Sequence, residues 1–226
     1  MKKILFILGL TICYLTNFSQ ETGTFADTRD GKVYRWVKIG NQVWMAENLA
    51  YLPAVSPSSI GSDTEPYYYV YGYKGTSVSA AKATANYVTY GVLYNWPAAI
   101  QTCPSGWHLP NNAEWTELTD YLGGQSVAGG KLMAVGYDHW TSLTSLNRGA
   151  DNSSGFTALP GGYRDDIGKF YYIGGLGYWW SATEVGALYA WFRGMGRYRA
   201  GMGRNRAILS DYYPERSGFS VRCVKD

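Results

Sequence analysis

The stretch Pro110-Asn111-Asn112-Ala113-Glu114-Trp115-Thr116-Glu117-Leu118-Thr119-Asp120-Tyr121-Leu122-Gly123-Gly124 decides the fold class. Asn111 and Glu114 stand three apart as a capping box, Trp115, Leu118 and Leu122 recur at helical spacing, and two glycines end the pattern. This predicts a helix over residues 112–122. A second short helix is expected over residues 126–135, weakened by Gly129-Gly130. Beyond Gly155 the pattern changes to short strands, expected at 156–159, 163–164, 170–173, 178–183 and in the C-terminal stretch. Turns at Gly161-Gly162, residues 165–168 and Gly174-Gly175 divide them. Upstream of the helix, residues 32–39 alternate apolar and polar, Gly40-Asn41 punctuates, and residues 42–45 resume. That reads as a β-hairpin, with Val33 or Tyr34 parity setting the core face. Residues 51–90, rich in Ser, Thr, Ala and Tyr and carrying Pro53, Pro57 and Pro66, read as a long, partly ordered surface excursion with tyrosines against the body. Helices followed by an antiparallel meander argue an α+β fold.

Composition agrees with short strands and tight turns. Of 226 residues, 46% are hydrophobic and only 16% charged, while 28 are Gly and 37 aromatic, which excludes a disordered chain and disfavours a helical bundle or coiled coil. Residues 1–19 are set apart as a secretory signal peptide: Lys2 and Lys3 precede an apolar run from Ile4 to Tyr14, followed by a polar exit through Thr16, Asn17 and Ser19. The run falls short of the roughly 18 residues a membrane span needs. A lipoprotein would need a small residue before Cys13, where Ile12 stands. Residues 20–226 then form a single exported domain, secreted, periplasmic or displayed on a bacterial surface.

Without the signal, Cys103 and Cys223 are the remaining cysteines, in a compartment that permits oxidation, and they are expected to pair. A bridge closing so long a loop contributes on the order of 4 kcal/mol in the chain-entropy model. Charge is polarised: from Gly186 to Asp226 there are eight basic and three acidic residues, so a basic C-terminal surface is expected. That region also holds a duplication, Gly194-Met195-Gly196-Arg197-Tyr198-Arg199-Ala200 followed by Gly201-Met202-Gly203-Arg204-Asn205-Arg206-Ala207. Two glycines in every seven residues reject a helix, and an odd period in one strand would send Met195 and Met202 to opposite faces unless a turn or bulge intervenes.

Catalytic signals are sparse. His108 sits just ahead of the helix, and His139 stands beside Asp138 and Trp140 without a nucleophile elbow or catalytic Cys. Asp165-Asp166 read as a hairpin turn rather than half of a glycosidase pair. Residues 151–155, Asp-Asn-Ser-Ser-Gly, offer oxygen ligands but lack the EF-hand series, so they read as a turn. No enzyme, cofactor or metal is expected. The five arginines and two aromatics between Phe192 and Arg206 suit a protein or glycan interface; nucleic acid is disfavoured by export. A solvated sheet edge is the plain alternative.

Cys103-Pro104-Ser105-Gly106-Trp107-His108-Leu109-Pro110 running into Ala113-Glu114-Trp115, with Gly91-Val92-Leu93-Tyr94-Asn95-Trp96 before it and Leu159-Pro160-Gly161-Gly162-Tyr163-Arg164, Tyr178-Trp179-Trp180-Ser181-Ala182-Thr183-Glu184 and Gly218-Phe219-Ser220-Val221-Arg222-Cys223 after it, resembles the Fibrobacter succinogenes major paralogous domain. The resemblance spans about residues 27–226. It implies a C-type lectin-like fold, a twisted antiparallel sheet with two helices and long loops, and a bridge from the first helix region to the last strand, where Cys103 and Cys223 sit. The sugar-binding motifs of calcium-dependent lectins and the paired cysteines of formylglycine-generating enzymes are missing from this chain. The C-terminal segment is also similar to the variable region of retroelement-diversified proteins. That likeness implies scaffold positions at Ala190, Trp191, Arg193, Met195, Met202 and Arg204. It implies outward-facing, ligand-binding positions at Leu188, Tyr189, Phe192, Gly194, Tyr198, Arg199, Gly201, Asn205, Arg206, Asp211, Tyr212 and Tyr213. The resulting expectation is a surface-displayed binding module, with a structural surface-layer component or an extracellular polysaccharide hydrolase as alternatives.

Overall fold

The alternation in residues 33–45 builds the hairpin expected of it. In the computed structural model, which describes residues 20–136, 138–140, 150–196 and 208–226, β1 (Thr22–Ala26), β2 (Val33–Ile39) and β3 (Gln42–Met45) pair antiparallel in succession. The β2–β3 turn passes through Gly40 at a φ of 61°, a region open to glycine. Tyr34 is buried and Val33 exposed. Val37 and Ile39 of opposite parity are buried as well, because the two ends of the strand feed two different cores. The sheet is completed by β12 (Val224–Lys225), which inserts between β3 and β6 (Trp107–His108) to give the order β1-β2-β3-β12-β6. The expected signal segment, residues 1–19, lies outside the described residues.

Residues 51–90 are more structured than the surface excursion expected of them. β4 (Tyr68–Tyr69) pairs with β5 (Leu93–Tyr94), and two short helices, α1 (Val78–Lys82) and α2 (Ala85–Tyr90), lie between them. Ser77 and Thr84 cap these helices by accepting from the amides of Ala80 and Tyr87. Tyr69, Val70 and Ala81 are buried. Asn95 caps α3 (Trp96–Ala99) through the Ala98 amide, while its side-chain amide donates to the carbonyls of Ser62 and Glu65 and ties down the preceding loop.

The helix predicted after Pro110 is α4 (Asn112–Tyr121), with both halves of the Asn111/Glu114 capping box formed. α5 (Gln125–Leu132) begins one residue before the expected second helix and ends earlier, at a Met133 in extended conformation. Residues 156–159 do not form the expected strand: only Ala158 makes a bridge, to Met133. The reason is a competing donor. The Arg222 guanidinium takes the carbonyls of Phe156 and Thr157, and Asn152 and Thr157 hold positive φ values in a side-chain-bonded turn.

β7 (Tyr163–Arg164) and β8 (Phe170–Tyr171) form the next hairpin, its turn closed by Asp165 Oδ1 accepting from the amides of Ile167 and Lys169. The meander follows: β9 (Leu176–Glu184), β10 (Tyr189–Gly196) and β11 (Ile208–Pro214), in the order β11-β10-β9. β9 opens on an apolar run, Leu176-Gly177-Tyr178-Trp179-Trp180, because that part of the strand is buried on both faces. Trp179 faces the cluster of Trp44, Trp115 and Phe156, whereas Trp180 stacks on Phe219 at 4.2 Å in the other cluster. Gly196 ends β10 at a φ of 119°, where a Cβ would stand 2.4 Å from the Gly175 carbonyl oxygen, so the first repeat unit needs its second glycine. The rest of the duplication, residues 197–207, lies outside the described residues. The architecture is thus mixed α+β, with several antiparallel sheets and short helices. Cys103 and Cys223 are bonded, their Cα atoms 5.9 Å apart across a sequence separation of 120. Among the described residues no helix is long and apolar enough to cross a membrane.

Candidate functional site

The β10–β11 hairpin pairs Trp191 with Tyr212, Phe192 with Asp211 and Arg193 with Ser210. Strand alternation therefore divides the expected binding residues between two faces. On the outer face Tyr189 and Tyr212 meet edge-on, ring centres 6.0 Å apart, and Trp191 meets Tyr212 edge-on at 5.9 Å. Tyr212 is 50% exposed and Tyr189 42%, with Leu188 exposed beside them at the hairpin end. Three aromatic side chains in these T-shaped contacts stiffen one another and leave their remaining surface to solvent. Trp191, expected as scaffold, is part of this outer face.

The other half of the expected set points inward. Phe192 is only 4% exposed and packs against Tyr178, Phe219 and Tyr213; this corrects the expectation of an outward contact residue. β10 alternates without a break against β11, so Phe192 lies on the same inward side as the buried Ala190. Gly194 is likewise buried, between Leu209 and Tyr178 in the sheet. Tyr213 is half-buried, its ring against Tyr163 and Phe219. Asp211 is exposed, and one of its carboxylate oxygens accepts from the Tyr212 amide. Tyr198, Arg199, Gly201, Asn205 and Arg206 lie outside the described residues, as do the expected scaffold positions Met202 and Arg204.

Two residues beside the outer face carry unusual electrostatics that patterning did not single out. Arg193, two positions after Trp191, is 4% exposed and donates to Asn112 Oδ1 at 2.9 Å, with longer contacts of 3.4 Å to the carbonyls of Asn112 and Phe192. Burial pushes its guanidinium down to about 10. Among the described residues no carboxylate pairs with it. Glu215 lies just beyond β11, its amide bonded to the Leu188 carbonyl, and its buried Oε1 has no hydrogen-bond partner among the described residues. Burial first, then the neighbouring charges of Glu184 and Asp63, pushes this carboxyl up to about 7. Neither position shows in hydrophobic patterning, since a lone Arg or Glu in a strand reads as a solvated face.

Other candidate residues have structural work. His108 is held between Asp226, 2.6 Å from Nδ1, and Glu114, 2.7 Å from Nε2. His139 meets Tyr90 edge-on, Asp165 closes its turn, and Asp151 accepts from the Ser153 amide. Arg164 and Arg222, both fully buried, donate to carbonyl oxygens of separate segments, Arg164 to Ser58, Ile60, Asp165 and Arg216 and Arg222 to Met45, Phe156 and Thr157. Among the described residues no three His, Cys, Asp or Glu side chains converge as a metal site.

The motifs around β5, α4, β7, β9 and Cys223 therefore supply capping residues, paired tryptophans, carbonyl-binding arginines and the bridge, all parts of one framework. No curated protein and no solved structure matches the chain. The sequence model of the Fibrobacter succinogenes major domain matches residues 37–225, from within β2 to the last residue of β12, and the chain belongs to that family.

Proposed function

We propose that this chain is an exported binding module, not an enzyme, with a C-type lectin-like fold, holding a protein or glycan ligand on the outer face of the β10–β11 hairpin. The observation that carries the reading is the mutually braced set Tyr189, Trp191 and Tyr212, large aromatic surface left in solvent at the end of a sheet whose other face is packed into the core. Aromatic side chains of this kind dominate binding energy at interfaces because they offer area with little conformational freedom to lose. The disulfide suits an oxidising compartment. Leu188, Tyr189 and Tyr212 are also positions where side chains can change without disturbing the packed framework, which a diversified surface would require. The test is binding of the mature protein to glycan and surface-protein arrays alongside a Tyr189→Ala/Tyr212→Ala variant. A hit lost in the folded variant supports the reading, and silence of the wild type on both arrays overturns it.

A further inference from the structure

Arg193 differs from the other buried arginines. Arg164 and Arg222 each direct guanidinium donors to oxygen acceptors from several segments, whereas among the described residues Arg193 has one short hydrogen bond, to Asn112 Oδ1, and none from its Nε. A buried cation that finds neither a counter-ion nor a full set of acceptors, as Arg193 does among the described residues, is destabilising. Arg193 is not sealed in, however. It lines a groove of about 260 Å³ between α4 and the β10–β11 hairpin, together with Thr116, Asp120, Gln125, Ser210 and Ile208. Five of these six side chains carry groups able to hydrogen-bond, and the sixth supplies an apolar wall. The groove continues the aromatic face: Arg193 lies two residues after Trp191 on the same side of β10, and its partner Ser210 two residues before Tyr212 on the same side of β11.

We infer that this groove binds the carboxylate of an acidic glycan, a uronic acid unit whose neighbouring sugars lie on Trp191 and Tyr212. The inference rests on the reading of that face as a ligand-binding surface. A carboxylate would accept the fork of donors that the protein leaves to Arg193. The hydroxyl and amide groups of Thr116, Gln125 and Ser210, and the exposed Asp120 at the rim, suit a ring bearing several hydroxyls. They suit an acidic peptide less well, because the methylene stem of Asp or Glu would meet polar groups on every side except Ile208. Asp120 also disfavours a second anion close to the first, so a single carboxylate per site fits better than a phosphate or sulfate of higher charge.

The experiment titrates the mature protein with galacturonate, glucuronate and mannuronate oligomers, with the methyl ester of each, and with hexaglutamate. At least one uronate oligomer should bind about ten times more tightly than its own methyl ester, and the preference should weaken with salt. Arg193→Gln should abolish the preference. A second variant does not depend on losing the arginine: Ser210→Glu places a carboxylate directly across the strand from Arg193, and should raise the melting temperature without ligand while removing the preference. Equal binding of acid and ester, binding of no uronate oligomer, hexaglutamate binding more tightly than every uronate, or a folded Ser210→Glu variant that keeps the preference would each overturn the inference. In any of those cases an array hit lost in Tyr189→Ala/Tyr212→Ala leaves the broader binding function standing.

Discussion

Glu215 and His108 are ionisable groups whose surroundings act in the same direction on stability, for opposite chemical reasons. Burial, and then Glu184 and Asp63, raises the Glu215 carboxyl from 4.5 to about 7, so the folded protein holds a proton that the unfolded chain has released between those values. Stability attributable to this group therefore falls as pH rises through that window and stays low above it. Glu215→Gln should raise stability by on the order of 2 kcal/mol near pH 8 and change it little near pH 4, measured as urea midpoints at the two pH values. For His108, burial opposes the charge, but hydrogen bonds to Asp226 and Glu114 outweigh it and hold the imidazole above its ordinary 6.5. A raised histidine stabilises fully below the unfolded value and loses that contribution as pH rises through the folded one. His108→Asn should lower the melting temperature near pH 5.5 and much less near pH 9. An equal loss at both values would show that the ring matters only by filling space between β6 and the start of α4.

At the scale of elements, the β10–β11 hairpin separates what alternation can and cannot reveal. Phe192→Ala should cost about 3–5 kcal/mol, as expected for an aromatic ring removed from a core, whereas Tyr189→Ala and Tyr212→Ala should each stay within about 0.5 kcal/mol of wild type. Thermal unfolding of the three variants measures the contrast, and a small loss at Phe192 would place its ring outside the core. The α4 boundary was legible because a capping box and a glycine stop are local chemistry: Asn111 and Glu114 satisfy amides within three residues of themselves. The α+β order and the pairing of Cys103 with Cys223 were legible for similar reasons, one from periodicity and one from a count of two. The face of Phe192 was not, because Trp191 and Phe192 offer an aromatic ring to each side of the strand and alternation alone does not say which side the core takes. Nor was the lost strand at residues 156–159, whose carbonyls are claimed by an arginine some 65 residues away. Arg193 stood among the scaffold positions that the resemblance implied, and it is buried; the groove it lines between α4 and the hairpin was not legible, because it depends on contacts that only the assembled fold brings together.

For the whole molecule, the two cores are not independent. β9 sends Trp179 into one and Trp180 into the other, and Arg222, next to the disulfide, bonds Asn48, Met45 and the loop at Phe156. The two-residue β12 sits between β3 and the edge strand β6 of the five-stranded sheet, immediately after Cys223. So short a strand contributes few hydrogen bonds of its own, and the bridge fixes its register by tying it to the segment between α3 and β6. Replacing both cysteines, Cys103→Ser/Cys223→Ser, should cost about 2–5 kcal/mol. Because both cores share β9 and the Arg222 network, the loss should appear as one transition moved to lower urea rather than as a second, early one. The slope of the transition separates two origins of the loss. If the bridge acts by restricting the unfolded chain across its 120-residue separation, the variant's unfolded state is more expanded and its dependence on urea becomes steeper. A lower midpoint with an unchanged slope would instead place the effect in the folded state, in the seating of β12 between β3 and β6.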